Sequence, residues 1–236
     1  MAQGGDWGSM VARLMATSYP QHCVAVHVHM VVSGLPSIWT NPLALLSVMI
    51  WAPLQSATSL FGRMLWWQRE ESGYLEVQGT KPLTLSYGLV DSPIGMLAWI
   101  LDKLHHLVGD DFSWEHEEVI TWAMMYLILG NAGHASIYTN AKGEKLKDFT
   151  KQISRPLQRE MDFGASAFSK NVCYVPRWWA GASISRNILF WKEHSKGGHF
   201  ASLEKPAELV RGIQEFTEAI QTERKGRLVA SGKLKR

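Results

Sequence analysis

The pattern of apolar and polar positions near the start of the chain predicts a helix followed by a buried strand. In "SMVARLMATSYP" the apolar residues recur at helical spacing, and Pro20 ends the pattern. These apolar residues are Met10, Val11, Leu14 and Met15. The next run, "HCVAVHVHMVV", is rich in β-branched residues, which is typical of a strand that is covered on both faces of a parallel sheet. A helix followed by such a strand is half of a parallel α/β unit.

The middle of the chain has a different character. Residues 35–151 are rich in Leu, Met and Trp and show no clear strand pattern. Several prolines interrupt this region, at Pro42, Pro53, Pro82 and Pro93. We therefore predict a mostly helical insertion.

Strand and helix patterns return after the insertion. The stretches "REMDFGASAF" and "ISRNILFWKEH" predict two strands, and "VPRWWAG" between them predicts the start of a short helix. From Pro206 to Gln221 a helix is predicted whose apolar face consists of Leu209, Ile213, Phe216 and Ile220. The chain is thus predicted to be an α/β protein. Its core portion spans 1–34 and 152–223, its helical lid 35–151, and a basic tail 224–236.

Composition and charge add little to this organisation. Apolar residues make up 46% of the chain and charged residues 19%, as in a soluble protein with a substantial core. Eleven tryptophans and ten methionines predict either a large core or an aromatic-lined cavity. Residues 224–236 hold six basic side chains and no acidic one. We expect this end to be frayed and solvated, the alternative being contact with an anionic surface.

Cysteine usage and apolar runs predict a location in the cell. The two cysteines, Cys23 and Cys173, form no disulfide framework, and no signal-peptide pattern follows Met1. We therefore expect a reducing, cytoplasmic compartment. The longest apolar run, 43–52, lies between prolines and is shorter than the roughly 20 residues that cross a bilayer, so we expect no transmembrane segment.

The cluster Gly4-Gly5-Asp6-Trp7-Gly8 fits the pattern Gly-x-nucleophile-x-Gly. This pattern makes a sharp turn from a strand into a helix, and small residues are needed because side chains would collide there. The residue exposed by the turn is an aspartate, whose carboxylate can attack saturated carbon to form an ester that water then cleaves. Such chemistry suits strained ethers or alkyl halides. The alternative is that Asp6 simply caps the helix.

A second candidate lies near the end of the chain, in "KGGHFASLEKP". His199 follows two glycines after a predicted strand, where an α/β-hydrolase places its general base. A neutral imidazole there could take a proton from water that attacks the ester. The alternative is a structural loop histidine.

Three stretches of the chain resemble the microsomal-type epoxide hydrolases, with fungal members nearest. They are "GGDWGS", "ESGYLEVQGTKPLTLSYGLVDSPIGMLAWILDKL" and "GGHFASLEKP". The likeness runs across essentially the whole chain in the family's order. It implies the C-terminal part of an α/β-hydrolase fold with its helical lid. It also implies hydrolysis of an epoxide to a vicinal diol through an aspartyl ester, without a cofactor.

The resemblance also implies roles for individual residues. Asp6 matches the nucleophile, and Trp7 matches the residue whose N–H forms part of the oxyanion hole. Tyr74 in "ESGY" and Tyr138 in "ASIYTN" match two lid tyrosines that hydrogen-bond to the epoxide oxygen and protonate it. His199 matches the base that activates water.

The chain departs from the family pattern in two places. The family has a carboxylate partner for the histidine, and Asn171 stands at that position here. An amide can orient the imidazole but cannot balance an imidazolium. Family members also carry about as many residues again before the nucleophile. With five residues before Asp6, we expect a shortened member in which the strand entering the turn and the second oxyanion donor are missing.

Epoxide hydrolysis is accordingly the leading interpretation, with two alternatives. One is a truncated or degenerate relative that binds without catalysis. The other is a haloalkane dehalogenase, which shares the aspartate chemistry but needs halide-binding Trp or Asn side chains in place of the lid tyrosines. The Trp- and Met-rich lid predicts an apolar or aromatic epoxide, as in detoxification or fungal secondary metabolism.

Metal and nucleic-acid sites are not predicted. His27 and His29 lie two apart on a predicted strand, as metal ligands can, but no cysteine or acidic cluster accompanies them, which favours core or strand-edge histidines. "WEHEEVITW" lacks metalloprotease spacing, and there is no phosphate loop or dinucleotide fingerprint.

Overall fold

The computed structural model describes residues 1–56, 59–142 and 151–230 of the chain. Its strands form a single parallel sheet in the order β1-β2-β3-β4. The strands are β1 (Ala2–Gly4), β2 (Ala25–Val28), β3 (Asp162–Lys170) and β4 (Ile188–Gly198). With helices connecting parallel strands, the predicted α/β class is confirmed.

Most of the described residues between β2 and β3 are helical. The helices whose bounds both lie in the described residues are α1 (Trp7–Ser18), α2 (Pro42–Trp51), α3 (Leu60–Trp66), α4 (Gly73–Thr80), α5 (Pro82–Asp91), α6 (Pro93–His106), α7 (His116–Leu129), α8 (Asn131–Ala135), α9 (Arg177–Ser183), α10 (Ala201–Glu204) and α11 (Pro206–Ala230). Short 3-10 turns at Ala52–Leu54 and Ser136–Ala141 and a π turn at Trp67–Glu71 complete them. Four of the helices begin at a proline, because proline has the φ of a first helical residue and its missing N–H would find no helical partner there.

A short strand leads into the Asp6 turn, so the expectation that no strand enters it is wrong. Residues Ala2–Gly4 pair in parallel with Val26–Val28, and the N–H of His29 extends the ladder by donating to the Gly4 carbonyl at 3.1 Å. Pairing in a sheet uses backbone groups, so three residues suffice when β2 offers them an edge.

The buried face of α1 is not the one that its apolar residues suggest. The helix is present, but Val11 and Met15 are exposed, and the buried positions are Ser9, Ala12, Arg13 and Ala16. Small side chains let the helix approach the sheet closely. The buried Arg13 is held by the carbonyls of Val32 and Ile153, to which its guanidinium donates.

The predicted strand over "HCVAVHVHMVV" is confirmed, but it is shorter than the apolar run. Only Ala25–Val28 pair in the sheet, and all four are buried. Beyond them, Met30 and Val32 line a cavity at the carboxyl end of the sheet. The second half of the run is therefore apolar because it forms a cavity wall.

The C-terminal predictions are confirmed, with one correction. Strands β3 and β4 and the helix α9 form where expected, and α11 packs its apolar face on the sheet. The helix α11 continues to Ala230, and Arg224 pairs with the buried Asp162 at 3.2 Å, so the expected frayed end does not begin at Arg224. Residues 231–236 lie outside the described residues.

The helical region has a hydrophobic cluster of its own, separate from the cluster on the sheet. Its buried members come from α5, α6 and α7: Leu89, Met96, Ile100, Leu104, Val119 and Ala123. Both cysteines carry free thiols. Among the described residues no single helix could span a membrane, while α5 and α6 could by combined length and composition only, with a bend of 119° between them.

Candidate active site

The turn between β1 and α1 presents Asp6 in a strained conformation. Its φ of 47° and ψ of −133° are rare for a residue with a side chain. The preceding glycines leave the room for this turn: a Cβ on Gly4 would lie 2.2 Å from the Gly8 carbonyl oxygen, and one on Gly5 would lie 1.7 Å from Nε2 of His29. The turn at Asp6 therefore requires residues without a Cβ at positions 4 and 5.

Asp6 does not act as a side-chain cap for α1. It occupies the position before the helix, but its carboxylate makes no capping hydrogen bond, and 55% of the side chain is exposed. The helix start is instead held by Ser9, whose hydroxyl donates to the Asp6 carbonyl at 2.7 Å. Of the two sequence interpretations of Asp6, the geometry fits an exposed reactive group.

His199 lies beside Asp6, in the loop after β4. Nε2 of the ring is 3.7 Å from Oδ1 of Asp6, and the side chain is almost completely buried. Burial lowers the pKa of His199, whereas the Asp6 carboxylate opposes this shift. The ring is therefore held largely neutral at pH 7, as a general base must be.

Asn171 contacts the other nitrogen of this ring. Its Oδ1 is 3.3 Å from Nδ1 of His199 and also accepts the Val172 N–H at 2.8 Å, while its Nδ2 donates to the His29 carbonyl at 2.6 Å. These two bonds assign the amide orientation, so the oxygen faces the imidazole. A hydrogen on Nδ1 is then favoured, which leaves the lone pair of Nε2 on the Asp6 side.

The two tyrosines stand together opposite Asp6. Tyr74 lies on α4 and Tyr138 on the 3-10 turn Ser136–Ala141, with their ring centroids 5.9 Å apart. The indole of Trp7 packs edge-on against Tyr138 at 5.6 Å. Burial raises the pKa of both phenols, and the charge of Asp6 adds to this, so both keep their protons at neutral pH.

Two cavities meet at these residues. One, of about 150 Å³, is lined by Asp6, His199 and both tyrosines; the other, of about 420 Å³, is lined by Asp6, Trp7 and both tyrosines. Tryptophans line both cavities, and others such as Trp179 lie in the core. The tryptophans therefore serve both as cavity walls and as core residues, the two alternatives that the composition left open. The predicted residues Asp6, Trp7, Tyr74, Tyr138, Asn171 and His199 are thus all brought together.

Two further residues at the site were not predicted from sequence. Gln78 is buried and lines the smaller cavity. Its side chain forms a hydrogen bond with Tyr138, and this bond partly opposes the rise in the pKa of that phenol. Gln78 lies four residues after Tyr74 on α4, so helical spacing could have indicated it. Glu204 accepts the N–H groups of residues on both sides of His199, a contact that no local pattern indicates.

His27 on β2 and His29 directly after it are both buried, as the sequence favoured. His27 is completely buried, and its Nε2 is 3.1 Å from the Ser166 hydroxyl; burial lowers its pKa to about 3. The group in the described part of the chain with metal-ligand spacing is instead Glu71, Asp102 and His106 on the helical region. Asp102 there already pairs with Lys103, and none of the three residues lines either cavity at Asp6.

Comparisons with known proteins concern the chain's relatives and its fold. No protein-family profile matches the chain. Epoxide hydrolase 1 from Oryctolagus cuniculus is 27% identical over 235 residues, which covers 93% of this chain and 51% of that protein. The solved structure of Aspergillus niger epoxide hydrolase is 29% identical with a TM-score of 0.71, covering 92% of this chain and 51% of that one.

A further solved structure supports the fold alone. Juvenile hormone epoxide hydrolase from the silkworm Bombyx mori is 24% identical, with a TM-score of 0.76 over 92% of this chain and 54% of that one. The chain spans about half the length of the curated relatives it matches. Within that half, the chain is a relative of the epoxide hydrolases and has the α/β-hydrolase fold.

Proposed function

We propose that this chain opens an apolar epoxide with the carboxylate of Asp6 and hydrolyses the resulting ester to a vicinal diol. The observation that supports this most directly is the convergence of Asp6, His199 and two protonated tyrosines on one pair of cavities. A nucleophile, a base and two acids are the groups that this reaction needs.

In the first step, an Asp6 carboxylate oxygen attacks a ring carbon of the epoxide. The new C–O bond forms as the ring C–O bond breaks, and the epoxide oxygen takes a proton from Tyr74 or Tyr138. The exposure of the Asp6 carboxylate and the raised pKa of both phenols suit this step, since the carboxylate is accessible to a substrate while the phenols keep their protons. Solvent then returns the proton to the tyrosine.

In the second step, His199 takes a proton from a water molecule that attacks the ester carbonyl. The tetrahedral oxyanion forms near the N–H of Trp7, in the first turn of α1, where the helix dipole favours negative charge. The bond from the carbonyl carbon to the diol oxygen breaks, and that oxygen takes the proton from His199. The carboxylic acid formed at Asp6 loses its proton to solvent, which regenerates the carboxylate, and the diol leaves.

We also propose that residues 35–151 form the lid of this site and that the epoxide is apolar. The lid supplies Tyr74 and Tyr138, and the larger cavity is lined mostly by apolar side chains. These are Trp7, Met10, Met30, Val32, Trp67, Leu75, Ile153 and Val172. An apolar substituent of the substrate would displace water from these walls.

The test combines intact mass with product analysis. Purified chain is mixed with styrene oxide in H₂¹⁸O. We expect an adduct of one epoxide per chain on Asp6, phenylethanediol as product, and ¹⁸O in the Asp6 carboxylate after turnover. Asp6→Asn should abolish both adduct and diol, because an amide is not a nucleophile of comparable strength.

The matched control is Asp91→Asn, which removes an exposed carboxylate on α5 away from both cavities and should leave the reaction unchanged. Absence of adduct and of diol with a folded chain would contradict the proposal. Release of halide from 1-chlorohexane, without any reaction of the epoxide, would favour the dehalogenase alternative instead.

A further inference from the structure

The helix α2 and the residues on both sides of it present an apolar face to solvent. Residues 14–62 of the chain contain no Asp, Glu, Lys or Arg. The exposed apolar side chains of this stretch include Ile38, Trp39, Leu43, Leu46, Ile50 and Leu54, and Trp39 is 91% exposed. We call these residues the α2 face. An exposed apolar surface of this extent indicates an interaction site.

The helix α2 is apolar on its inner side as well as its outer side. The inner side packs on the hydrophobic cluster of the sheet through the buried Val48 and the half-buried Trp51. The outer side carries Leu43, Leu46 and Ile50, whose spacing of three and four residues places them on one face of the helix. A helix that is apolar all round is normally covered on all sides, so the outer side lacks a cover in the isolated chain.

The length of this apolar segment limits what can cover it. Pro42–Leu54 is shorter than the roughly 20 residues that cross a bilayer. The segment therefore suits a helix that lies along an apolar surface rather than through one.

Arginines lie in two grooves beside the α2 face. One groove, of about 490 Å³, is lined by residues that include Thr40, Arg159 and Arg186, and the other, of about 570 Å³, by residues that include Arg177 and Arg186. Among the described residues that line these grooves there is no Asp or Glu. Glu160 follows Arg159 along the chain but lines neither groove. Both grooves thus offer positive charge to a ligand.

Two contacts join the grooves to α2. Asn41, directly before α2, donates from its side chain to the carbonyl of Ala182 in α9 at 2.9 Å. The ring of Trp178, which lines the second groove, lies 5.8 Å from the ring of Trp51 in α2. The arginines and the α2 face therefore belong to one continuous surface.

This pairing of an apolar face with arginines complements the surface of an anionic phospholipid membrane. Guanidinium groups bind phosphate oxygens through paired hydrogen bonds. Apolar side chains and exposed tryptophans enter the boundary between headgroups and acyl chains. A second copy of the chain is a poorer partner, because in a symmetric contact it would bring the same arginines and, from the described residues of the grooves, no carboxylate.

We propose that the chain docks on anionic phospholipid membranes through the α2 face, with Arg159, Arg177 and Arg186 bound to lipid phosphates. The helix α2 lies in the plane of the headgroups, and the rest of the described chain stays on one side of the bilayer. Docking does not depend on the proposed chemistry at Asp6. Apolar molecules concentrate in a bilayer, so the docked chain meets an apolar substrate at a raised local concentration.

Co-sedimentation of the full chain with vesicles tests this proposal. We expect binding to vesicles of equimolar phosphatidylcholine and phosphatidylserine, and binding at least about fivefold weaker to phosphatidylcholine alone. In about 1 M NaCl, where the Debye length falls to about 3 Å, the difference between the two vesicles should disappear.

Variants of exposed residues locate the contact. Leu43→Glu combined with Ile50→Glu should lower the partition coefficient at least about tenfold, because two charges would enter the interface in place of apolar groups. Arg159→Ala and Arg186→Ala should each lower it about fivefold on the anionic vesicles. The matched control is Ile128→Glu combined with Leu129→Glu, which alters comparably exposed apolar residues on α7 and should leave binding unchanged.

Three results would overturn the proposal. One is a folded chain, as judged by circular dichroism, that does not sediment with the anionic vesicles. Another is an equal loss of binding in the α2 and α7 double variants, which would place the contact elsewhere. The third is a dimer by light scattering that the α2 double variant converts to a monomer, without vesicle binding by either form, since a second copy would then cover the α2 face.

Discussion

At the scale of single residues, the two tyrosines of the site have different surroundings. The Tyr74 phenol is buried, and its pKa is raised by burial and by neighbouring Tyr138 and Asp6. Burial also raises the pKa of the Tyr138 phenol, but side-chain hydrogen bonds from Trp7 and Gln78 lower it. Donors to the phenol oxygen stabilise a developing phenolate and leave its own proton for the substrate. Tyr138 is accordingly the better placed of the two to give up its proton.

Replacing Gln78 by Leu tests this difference. We expect the rate of Asp6 alkylation by styrene oxide to fall roughly fivefold to tenfold, since one hydrogen bond contributes about 1 kcal/mol. The free energy of unfolding should stay unchanged or rise, because Oε1 of Gln78 is buried and meets no partner among the described residues. Rapid-quench mass and urea unfolding measure the two quantities.

If the role of Gln78 were purely structural, its replacement by Leu would lower both the free energy of unfolding and the rate of alkylation. This result would contradict the prediction. Tyr87→Phe serves as the control, because Tyr87 is 79% exposed on α5 and lies outside both cavities. It should alter neither quantity.

At the scale of elements, the turn from β1 into α1 decides the position of Asp6, the proposed nucleophile. The strand is only three residues long, yet it fixes the chain on one side of Asp6 while α1 fixes it on the other. The glycines of this turn are not equivalent. A Cβ at Gly4 or Gly5 would overlap neighbouring atoms, whereas one at Gly8 would meet nothing within 4 Å.

Two alanine substitutions in this turn should therefore change the free energy of unfolding in opposite directions. We expect Gly5→Ala to destabilise the chain by about 1–3 kcal/mol and to abolish alkylation, because the turn must open to clear the His29 ring. Gly8→Ala, in the first turn of α1, should stabilise it by about 0.5–1 kcal/mol, since alanine is the better helix former. Urea unfolding and the mass assay measure both, and equal destabilisation by the two would contradict the structure.

At the scale of the whole molecule, the helical region and the sheet meet at the loop that carries His199. The N–H of His199 donates to the Leu107 carbonyl at 2.8 Å. Glu204 accepts the N–H groups of Gly109, Gly198 and Phe200 at 2.7, 2.7 and 2.9 Å, which joins the loop after α6 to both sides of His199. The position of His199, the proposed base, thus depends on the segment between α6 and α7.

The substitution Glu204→Leu tests whether the position of His199 depends on this segment. Three N–H groups would lose their acceptor, and we expect a loss of roughly 3 kcal/mol or more in the free energy of unfolding. Hydrogen exchange should accelerate at Gly109, Gly198 and Phe200 together. Glu204→Gln keeps one acceptor oxygen and should give intermediate values, whereas acceleration at Gly198 and Phe200 alone would show that the loop after α6 is held by other contacts.

How much of the site could be predicted from the sequence depends on how far apart along the chain the interacting residues lie. Asp6, His199 and the start of α1 stand in glycine-bounded motifs, whose turns depend on neighbouring residues. Tyr74 and Tyr138 were indicated by family resemblance alone, because a half-buried aromatic has no local signature. Gln78 and Glu204 were missed, since their importance lies in contacts with distant backbone and side-chain groups.

The sequence by itself determined the local features of this protein. The α/β order of elements, the helix starts at proline and the sharp turn at Asp6 all follow from backbone sterics and hydrophobic periodicity within a few residues. Only the tertiary structure decided that three residues suffice for β1, that α1 buries Ala12, Arg13 and Ala16, and that Asn171 faces His199. These depend on which distant segments pack together, because burial and hydrogen bonding between them outweigh the preference of any single stretch.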